Sequence, residues 1–121
     1  MEATEYFKSG HTCSESIIKW AIDEKLCSQE LLKIATPFSG GMSCGCLCGA
    51  VAAGQMVIGS KFSGNEAKQK AFILIDEFKK RNKYTCCKLL TQGVENRKEH
   101  CTKMVSNVVE IIKEMLGVKV C

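Results

Sequence analysis

The sequence predicts an all-α fold, a compact bundle of four or five helices in a single domain spanning residues 1–121. Apolar residues recur three and four positions apart along most of the chain, which is the spacing of one helix face. Glycines interrupt these stretches, and no period-two alternation is long enough to predict a strand. A chain of 121 residues, with 45% hydrophobic and 25% charged side chains, is typical of one domain with one core.

The N-terminal half carries recognisable start and stop signals. Thr12 and Glu15 have the form of a capping box, so a first helix is expected there, with Cys13 in its first turn. Residues 28–35 predict a second, short helix. It is expected to end before Pro37, because the residue that precedes a proline avoids helical geometry.

A helix rich in small residues is predicted next, from Cys44 to about Gly59. Small side chains let neighbouring backbones come close, so this helix is expected at the centre of the bundle. Its apolar stretch is shorter than the roughly 20 residues that cross a bilayer, and no membrane insertion is expected.

The C-terminal half predicts three more helical segments. Ser63 and Glu66 form a second capping-box pattern that opens a helix ending near residues 81–83. A short helical turn is expected over residues 85–93, and a long helix over residues 96–116.

Composition excludes several classes of function. The net charge of +4 is spread over the polar stretches without a block of five like charges, which indicates a solvated surface and no nucleic-acid binding. Neither a phosphate-binding loop nor a dinucleotide-binding motif is present, and no catalytic triad has a local signature. The polar first ten residues lack the apolar run of a secretory signal, so a cytoplasmic location is expected.

Nine cysteines in 121 residues are the extreme feature of the composition. In a reducing cytoplasm such a number favours metal binding or redox chemistry over a disulfide framework. The sequence therefore predicts a function that depends on thiols.

Cys44 and Cys48 are the first candidates, because residues four apart share one face if this turn is helical. A helix N-terminus favours the thiolate, which binds metals and attacks disulfides. The glycines around this pair would let the backbone approach an inorganic group and offer amide donors to its sulfurs.

Cys86 and Cys101 are expected near the starts of two later helices. Together with Cys44 and Cys48 they provide four thiolates that could converge on one site. Such a set suits an iron–sulfur cluster or zinc, and the spacing alone does not choose between them.

The ordered motifs resemble one known family. They are Cys13-Ser14-Glu15-Ser16-Ile17, then Phe38-Ser39-Gly40-Gly41-Met42-Ser43-Cys44-Gly45, then Cys48-Gly49-Ala50-Val51, then Cys86 with Leu89, and finally His100-Cys101-Thr102-Lys103. This set resembles the C_GCAxxG_C_C family of redox-active proteins. The resemblance places the family's four characteristic cysteines on Cys44, Cys48, Cys86 and Cys101, and it implies a redox role, with an iron–sulfur cluster in a related cytochrome domain.

Six further side chains are auxiliary candidates or are expected to be peripheral. Cys13 is an auxiliary candidate as a resolving thiol or a neighbour of the ligands, and Cys46 and Cys87 are extra thiols that can substitute as ligands. His100 next to Cys101 is an auxiliary candidate of the same kind. Cys27 and Cys121 are expected to be peripheral, and Cys121, the last residue of the sequence, is expected to be exposed and prone to intermolecular oxidation.

The expectation from sequence is a small redox-active protein in which Cys44, Cys48, Cys86 and Cys101 hold an iron–sulfur cluster for electron transfer. Electron transfer or redox assistance is expected rather than the activity of a stand-alone enzyme. Its partner would be a redox protein that the sequence does not identify, and a homodimer stays open. Two alternatives remain: a thiol–disulfide protein without metal, and a zinc-stabilised structural or interaction module.

Overall fold

The computed structural model describes residues 1–117 and confirms the all-α class. Seven helices occur in this part of the chain, slightly more than the four or five predicted, because several of them are only one or two turns long. Their bounds are α1 Ala3–Lys8, α2 Cys13–Asp23, α3 Leu31–Ala35, α4 Gly49–Lys61, α5 Gly64–Asn82, α6 Cys87–Thr91 and α7 Arg97–Met115.

Helix α1 was not predicted, because six residues are too few to show a clear periodicity. It packs against α2 and α7, and its buried residue is Ala3. Glu5 supports its start by accepting a hydrogen bond from the backbone N–H of Glu2 at 3.2 Å. This helix brings Phe7 to the site described below.

The capping box at the start of α2 is confirmed. Thr12 Oγ1 accepts from the N–H of Glu15 at 3.2 Å, and the Glu15 carboxylate accepts from the N–H of Thr12 at 2.9 Å. Cys13 is therefore the first residue of α2, as expected. The corresponding prediction at Ser63 gives the correct helix start, but the Ser63 side chain makes no capping hydrogen bond.

Helix α4 lies at the centre of the bundle, as its small residues predict, and it contacts α2, α5 and α7. Most of its first two turns is buried. A Cβ atom added to Gly54 would lie 2.9 Å from both Leu74 Cδ2 and Val108 Cγ1, so glycine here allows three helices to meet.

The predicted start of α4 at Cys44 is wrong. The backbone has positive φ at Gly40, Gly41, Met42, Ser43 and Gly45, a conformation that cannot continue a right-handed helix. Residues 40–45 consequently form a left-handed loop, and α4 begins only at Gly49 with Cys48 as its N-cap. Cys44 and Cys48 therefore do not share a helix face.

A short antiparallel bridge joins this loop to the chain before α6. The N–H of Cys48 donates to the carbonyl of Thr85 at 2.8 Å, and the N–H of Cys87 donates to the carbonyl of Cys46 at 2.5 Å. Leu47 and Cys86 form the bridge pair between them. The bridge joins two segments almost forty positions apart in sequence, both rich in cysteine.

Within residues 1–117, none of the helices combines the length and the apolar character that a membrane span requires.

Two alanine substitutions in α4 test the packing of its central face. Gly54→Ala should lower the free energy of unfolding by about 1–3 kcal/mol, because the added methyl group overlaps two buried side chains. Gly59→Ala, in the same helix but with no atom within 4 Å of the added Cβ, should instead stabilise by about 0.5–1 kcal/mol. Urea unfolding measures both, and equal effects would contradict the close approach at Gly54.

Candidate functional site

Four cysteines border one cavity of about 390 Å³. They are Cys13, Cys48, Cys87 and Cys101, and we refer to this space as the thiol cavity. The remaining lining residues are Phe7, Thr12, Ser39, Gly40, Gly49, Arg97, Lys98 and Met104.

Each of the four cysteines lies at or near the N-terminal end of a different helix. Cys13 and Cys87 are the first residues of α2 and α6, Cys48 is the N-cap of α4, and Cys101 is the fifth residue of α7. Four helix starts thus meet around the thiol cavity. The backbone N–H groups of the first turn of a helix lack partners within the helix and can donate to a sulfur.

Cys48 and Cys87 are brought together by the bridge between the left-handed loop and the chain before α6. The two bridge hydrogen bonds use the backbone N–H groups of these same two residues. Both side chains are buried, with relative exposures of 6% and 8%. The backbone pairing therefore fixes two thiols of the cavity at once.

Two glycines make room for this arrangement. A Cβ on Gly49 would lie 2.6 Å from Cys13 Sγ and 2.9 Å from the carbonyl oxygen of Phe38. A Cβ on Gly41 would lie 2.6 Å from both the N of Cys46 and Cβ of Cys87, and Gly41 also has a φ of +68°. A side chain at either position would displace a thiol or the backbone that holds one.

Burial keeps the Cys48 thiol neutral at ordinary pH. Loss of hydration raises the pKa of Cys48 to about 12, although the backbone N–H groups of Val51 and Ala50 act in the opposite direction. These amides belong to the first turn of α4. The site is thus able to stabilise a sulfur anion once a cation replaces the proton.

Burial also raises the pKa of Cys13 and of Cys101. The backbone N–H of Gly40 opposes the shift at Cys13, and a nearby Cys87 adds to it. For Cys101, repulsion from Cys13 and Cys87 adds to the shift. The mutual effects indicate that the thiols are close enough to influence one another's ionisation.

A basic edge borders the cavity on α7. The Arg97 guanidinium lies 3.9 Å from Cys87 Sγ, and its charge and hydrogen bond oppose the rise in the pKa of Cys101. Lys98 Nζ lies 5.4 Å from the centre of the Phe7 ring, so α1 and α7 form one wall of the cavity together. Both cations would offset negative charge inside it.

A second group of thiols lies outside the thiol cavity. Cys44 and Cys46 are exposed, and the neighbouring Cys44 thiol is the main cause that raises the pKa of Cys46. Cys86 Sγ donates to the carbonyl of Gly45 at 3.0 Å. We call Cys44, Cys46 and Cys86 the surface thiols.

The four cysteines predicted from sequence are divided between these two groups. Cys48 and Cys101 line the thiol cavity, whereas Cys44 and Cys86 belong to the surface thiols. Two of the auxiliary candidates, Cys13 and Cys87, occupy the cavity.

The remaining candidates lie elsewhere. Cys46 is a surface thiol, and His100 lines a different cavity. Its Nε2 is buried without a hydrogen-bond partner among residues 1–117. Cys27 is half-buried and is not among the residues that line the thiol cavity. Cys121, predicted to be exposed and prone to oxidation, lies outside the described residues.

Several residues of the thiol cavity were not predicted from sequence as site residues. Phe7, Arg97 and Lys98 carry no motif, and only the packing of α1 against α7 brings them together. The sequence does indicate that Cys86 and Cys87 cannot both face the cavity. Neighbouring residues in an extended segment point to opposite sides, so only one member of this pair can face inward.

The fit of a metal group depends on the arrangement of the sulfurs. In the described part of the chain, no three Cys, His, Asp or Glu side chains form a group that could hold a single metal ion as they stand. The four cavity thiols instead border a volume with room for an inorganic group larger than one ion. Their sulfur donors and the surrounding amide donors are those that iron–sulfur clusters use.

Comparison with known proteins gives one family. Residues 11–115 match the sequence model described as "Putative redox-active protein (C_GCAxxG_C_C)". No curated protein and no solved structure matches the chain. The matched range includes all four cavity cysteines and all three surface thiols.

The raised pKa of Cys48 predicts slow alkylation. With a pKa of about 12, its thiolate fraction at pH 8 is lower than that of an ordinary thiol by roughly a thousandfold. Limited iodoacetamide treatment of the reduced, metal-free protein should therefore label Cys44 well before Cys48, as read by peptide mass spectrometry. In urea the two should react alike, and equal rates in the folded protein would contradict the burial of Cys48.

Arg97→Gln should raise the pKa of Cys101 further, because it removes the cation that favours the Cys101 thiolate. The alkylation profile of Cys101 should move to higher pH, with about a two- to tenfold lower rate near neutrality. Lys98→Gln is the matched control, since Lys98 is not among the groups that shift this pKa. An unchanged profile in Arg97→Gln would show that the guanidinium does not act on this sulfur.

Proposed function

The chain belongs to the C_GCAxxG_C_C family of redox-active proteins, and we propose that within this family it is an electron-transfer protein that binds an iron–sulfur cluster in the thiol cavity. The proposed ligands are Cys13, Cys48, Cys87 and Cys101. This set retains Cys48 and Cys101 from the sequence prediction and replaces Cys44 and Cys86 by Cys13 and Cys87.

The observation that carries the proposal is the convergence of four thiols from four helices on one cavity. Cysteine is a good buried small residue, so one or two buried thiols would need no function. Four around a single cavity are different, because separate core cysteines have no reason to gather from four helices at one place. Tetrathiolate ligation is the usual ligand set of iron–sulfur clusters.

The surroundings of the sulfurs support the same group. Four thiolates around a cluster give a net negative charge, and the backbone N–H groups of Gly40, Ala50 and Val51 are directed at two of these sulfurs. Hydrogen bonds of this kind stabilise the anion and adjust its reduction potential. Arg97 and Lys98 offer compensating positive charge at the cavity edge.

When bound, the cluster would supply one-electron chemistry at a site where no substrate bond is broken. The protein's own part is to exclude water with Phe7 and Met104, to give up the thiol protons, and to hold the four sulfurs in place.

Cluster loading must release protons, because the pKa values of Cys13, Cys48 and Cys101 are all raised. Cluster uptake should accordingly improve as pH rises.

The basic edge beside the cavity suggests the kind of partner. Arg97 and Lys98 are both exposed, and an acidic face on another redox protein would complement them. We propose outer-sphere electron exchange with such a partner in a reducing cytoplasm, which keeps the thiols available.

Adjacent cysteines provide the test of the ligand set. Cys87→Ser should lose most of the cluster on anaerobic reconstitution with iron and sulfide, because Cys87 lines the cavity. Cys86→Ser should retain it, because the Cys86 thiol is directed to the Gly45 carbonyl. Iron and sulfide analysis and the visible spectrum give the readout, with circular dichroism to confirm that both variants fold.

The variants Cys13→Ser and Cys44→Ser make the same comparison for the second difference between the two ligand sets, in which Cys13 replaces Cys44. Loss of the cluster in Cys44→Ser and Cys86→Ser, with retention in Cys13→Ser and Cys87→Ser, would contradict the cavity ligands and support the set predicted from sequence. Reconstitution with zinc alone, or reversible disulfides between cavity thiols without any metal, would favour the structural module or the thiol–disulfide protein instead.

A further inference from the structure

We propose that Cys44 and Cys46 form a second redox site, a surface dithiol that reduces the disulfide of a low-molecular-mass thiol and closes to a disulfide itself. This site lies outside the thiol cavity and does not depend on a bound metal. It is therefore an activity additional to the electron transfer proposed above.

The two thiols are accessible and lie on either side of one residue. Both residues are exposed, and Cys44 is the neighbour that most strongly raises the pKa of Cys46, as a nearby second thiol does. Only Gly45 separates them, and its φ of +75° turns the chain between the two side chains. A bond between the sulfurs therefore needs a rotation of side chains and no unfolding.

The left-handed loop holds this dithiol at the surface. Cys44 Sγ donates to the carbonyl of Gly41 at 3.6 Å, and the N–H of Cys46 donates to the same carbonyl at 2.8 Å. One backbone oxygen thus orients both cysteines. Closing two cysteines so near in sequence makes a small, strained ring, and strained exposed disulfides are easily reduced again, as a recycling couple requires.

The neighbourhood suits an anionic substrate. Lys88 Cβ lies 3.4 Å from the position of a Cβ on Gly45, and the Lys88 side chain is exposed. Cys86 is the third surface thiol and donates to the Gly45 carbonyl. A small disulfide with carboxylate groups can reach the dithiol beside this positive charge.

The exchange takes two steps, in which either cysteine can act first. The Cys44 thiolate attacks one sulfur of the small disulfide, a mixed disulfide forms, and the first small thiol leaves with the proton that Cys44 gave up. Cys46 then loses its proton and attacks Cys44 Sγ, and the second small thiol leaves with that proton. Two protein thiols are oxidised to one disulfide, and one small disulfide is reduced to two thiols.

Oxidised glutathione is the probe for the reduced, metal-free protein. The wild-type chain should lose two hydrogens without keeping a glutathione adduct on either residue, because the second thiol is held beside the first. Tandem mass spectrometry of the tryptic peptide from residues 34 to 61 should place the bond between Cys44 and Cys46. A bond that involves Cys48, or no bond in this peptide, would overturn the proposal.

Single variants separate the two steps. Cys46→Ser should keep a glutathione adduct on Cys44, Cys44→Ser should keep one on Cys46, and release of the second glutathione should be at least about tenfold slower than in wild type. Cys27→Ser, which alters a half-buried thiol outside this loop, should behave like wild type. Persistent adducts in wild type at the same level as in the variants would overturn the proposal.

The same variants distinguish the proposal of a surface dithiol from the proposal of a cluster in the thiol cavity. Cys44→Ser and Cys46→Ser should still bind the cluster in the thiol cavity if both proposals hold. If the cluster is never found while the dithiol closes as described, the second site stands alone. If neither single variant changes the glutathione reaction, the surface dithiol is rejected whatever the cavity binds.

Discussion

The arrangement of the cysteines depends on one constraint, the antiparallel bridge between the left-handed loop and the chain before α6. Its hydrogen bonds use the N–H groups of Cys48 and Cys87, so the same pairing that closes the fold sets two thiols against one cavity. The thiols of Cys44 and Cys86 lie outside the thiol cavity. Without the positive φ values at Gly40 and Gly41, the loop could not reach this position.

The cavity combines two opposing effects on its sulfurs. Burial disfavours thiolates and raises the pKa of Cys48 to about 12, whereas helix-start amides and Arg97 favour sulfur anions. Neither effect makes a reactive free thiol at neutral pH. Together they favour sulfurs that stay protonated until a cationic group displaces the protons, which is the behaviour expected of metal ligands. The exposed Cys44 and Cys46 differ, because solvent reaches them directly.

Sequence predicted the fold well, because apolar periodicity and caps are local. Thr12 with Glu15 gave the start of α2, and the small residues of α4 gave its central position. The spatial arrangement of the cysteines was predicted only in part. Spacing suggested that Cys44 and Cys48 share a helix face, but consecutive left-handed residues, including the non-glycine residues Met42 and Ser43, are not evident from residue types. The inward position of Cys87, and the wall that Phe7 makes with Lys98, depend on contacts between distant segments.

The most direct measurement is the iron, acid-labile sulfide and zinc content of the wild-type protein purified without oxygen, together with its visible spectrum. A cluster in the thiol cavity predicts iron and sulfide in equal amounts, with absorption above about 400 nm, where free thiols are silent and iron–sulfur charge transfer is seen. A colourless protein that contains zinc alone would contradict it. So would a protein without metal whose cavity cysteines form reducible pairs.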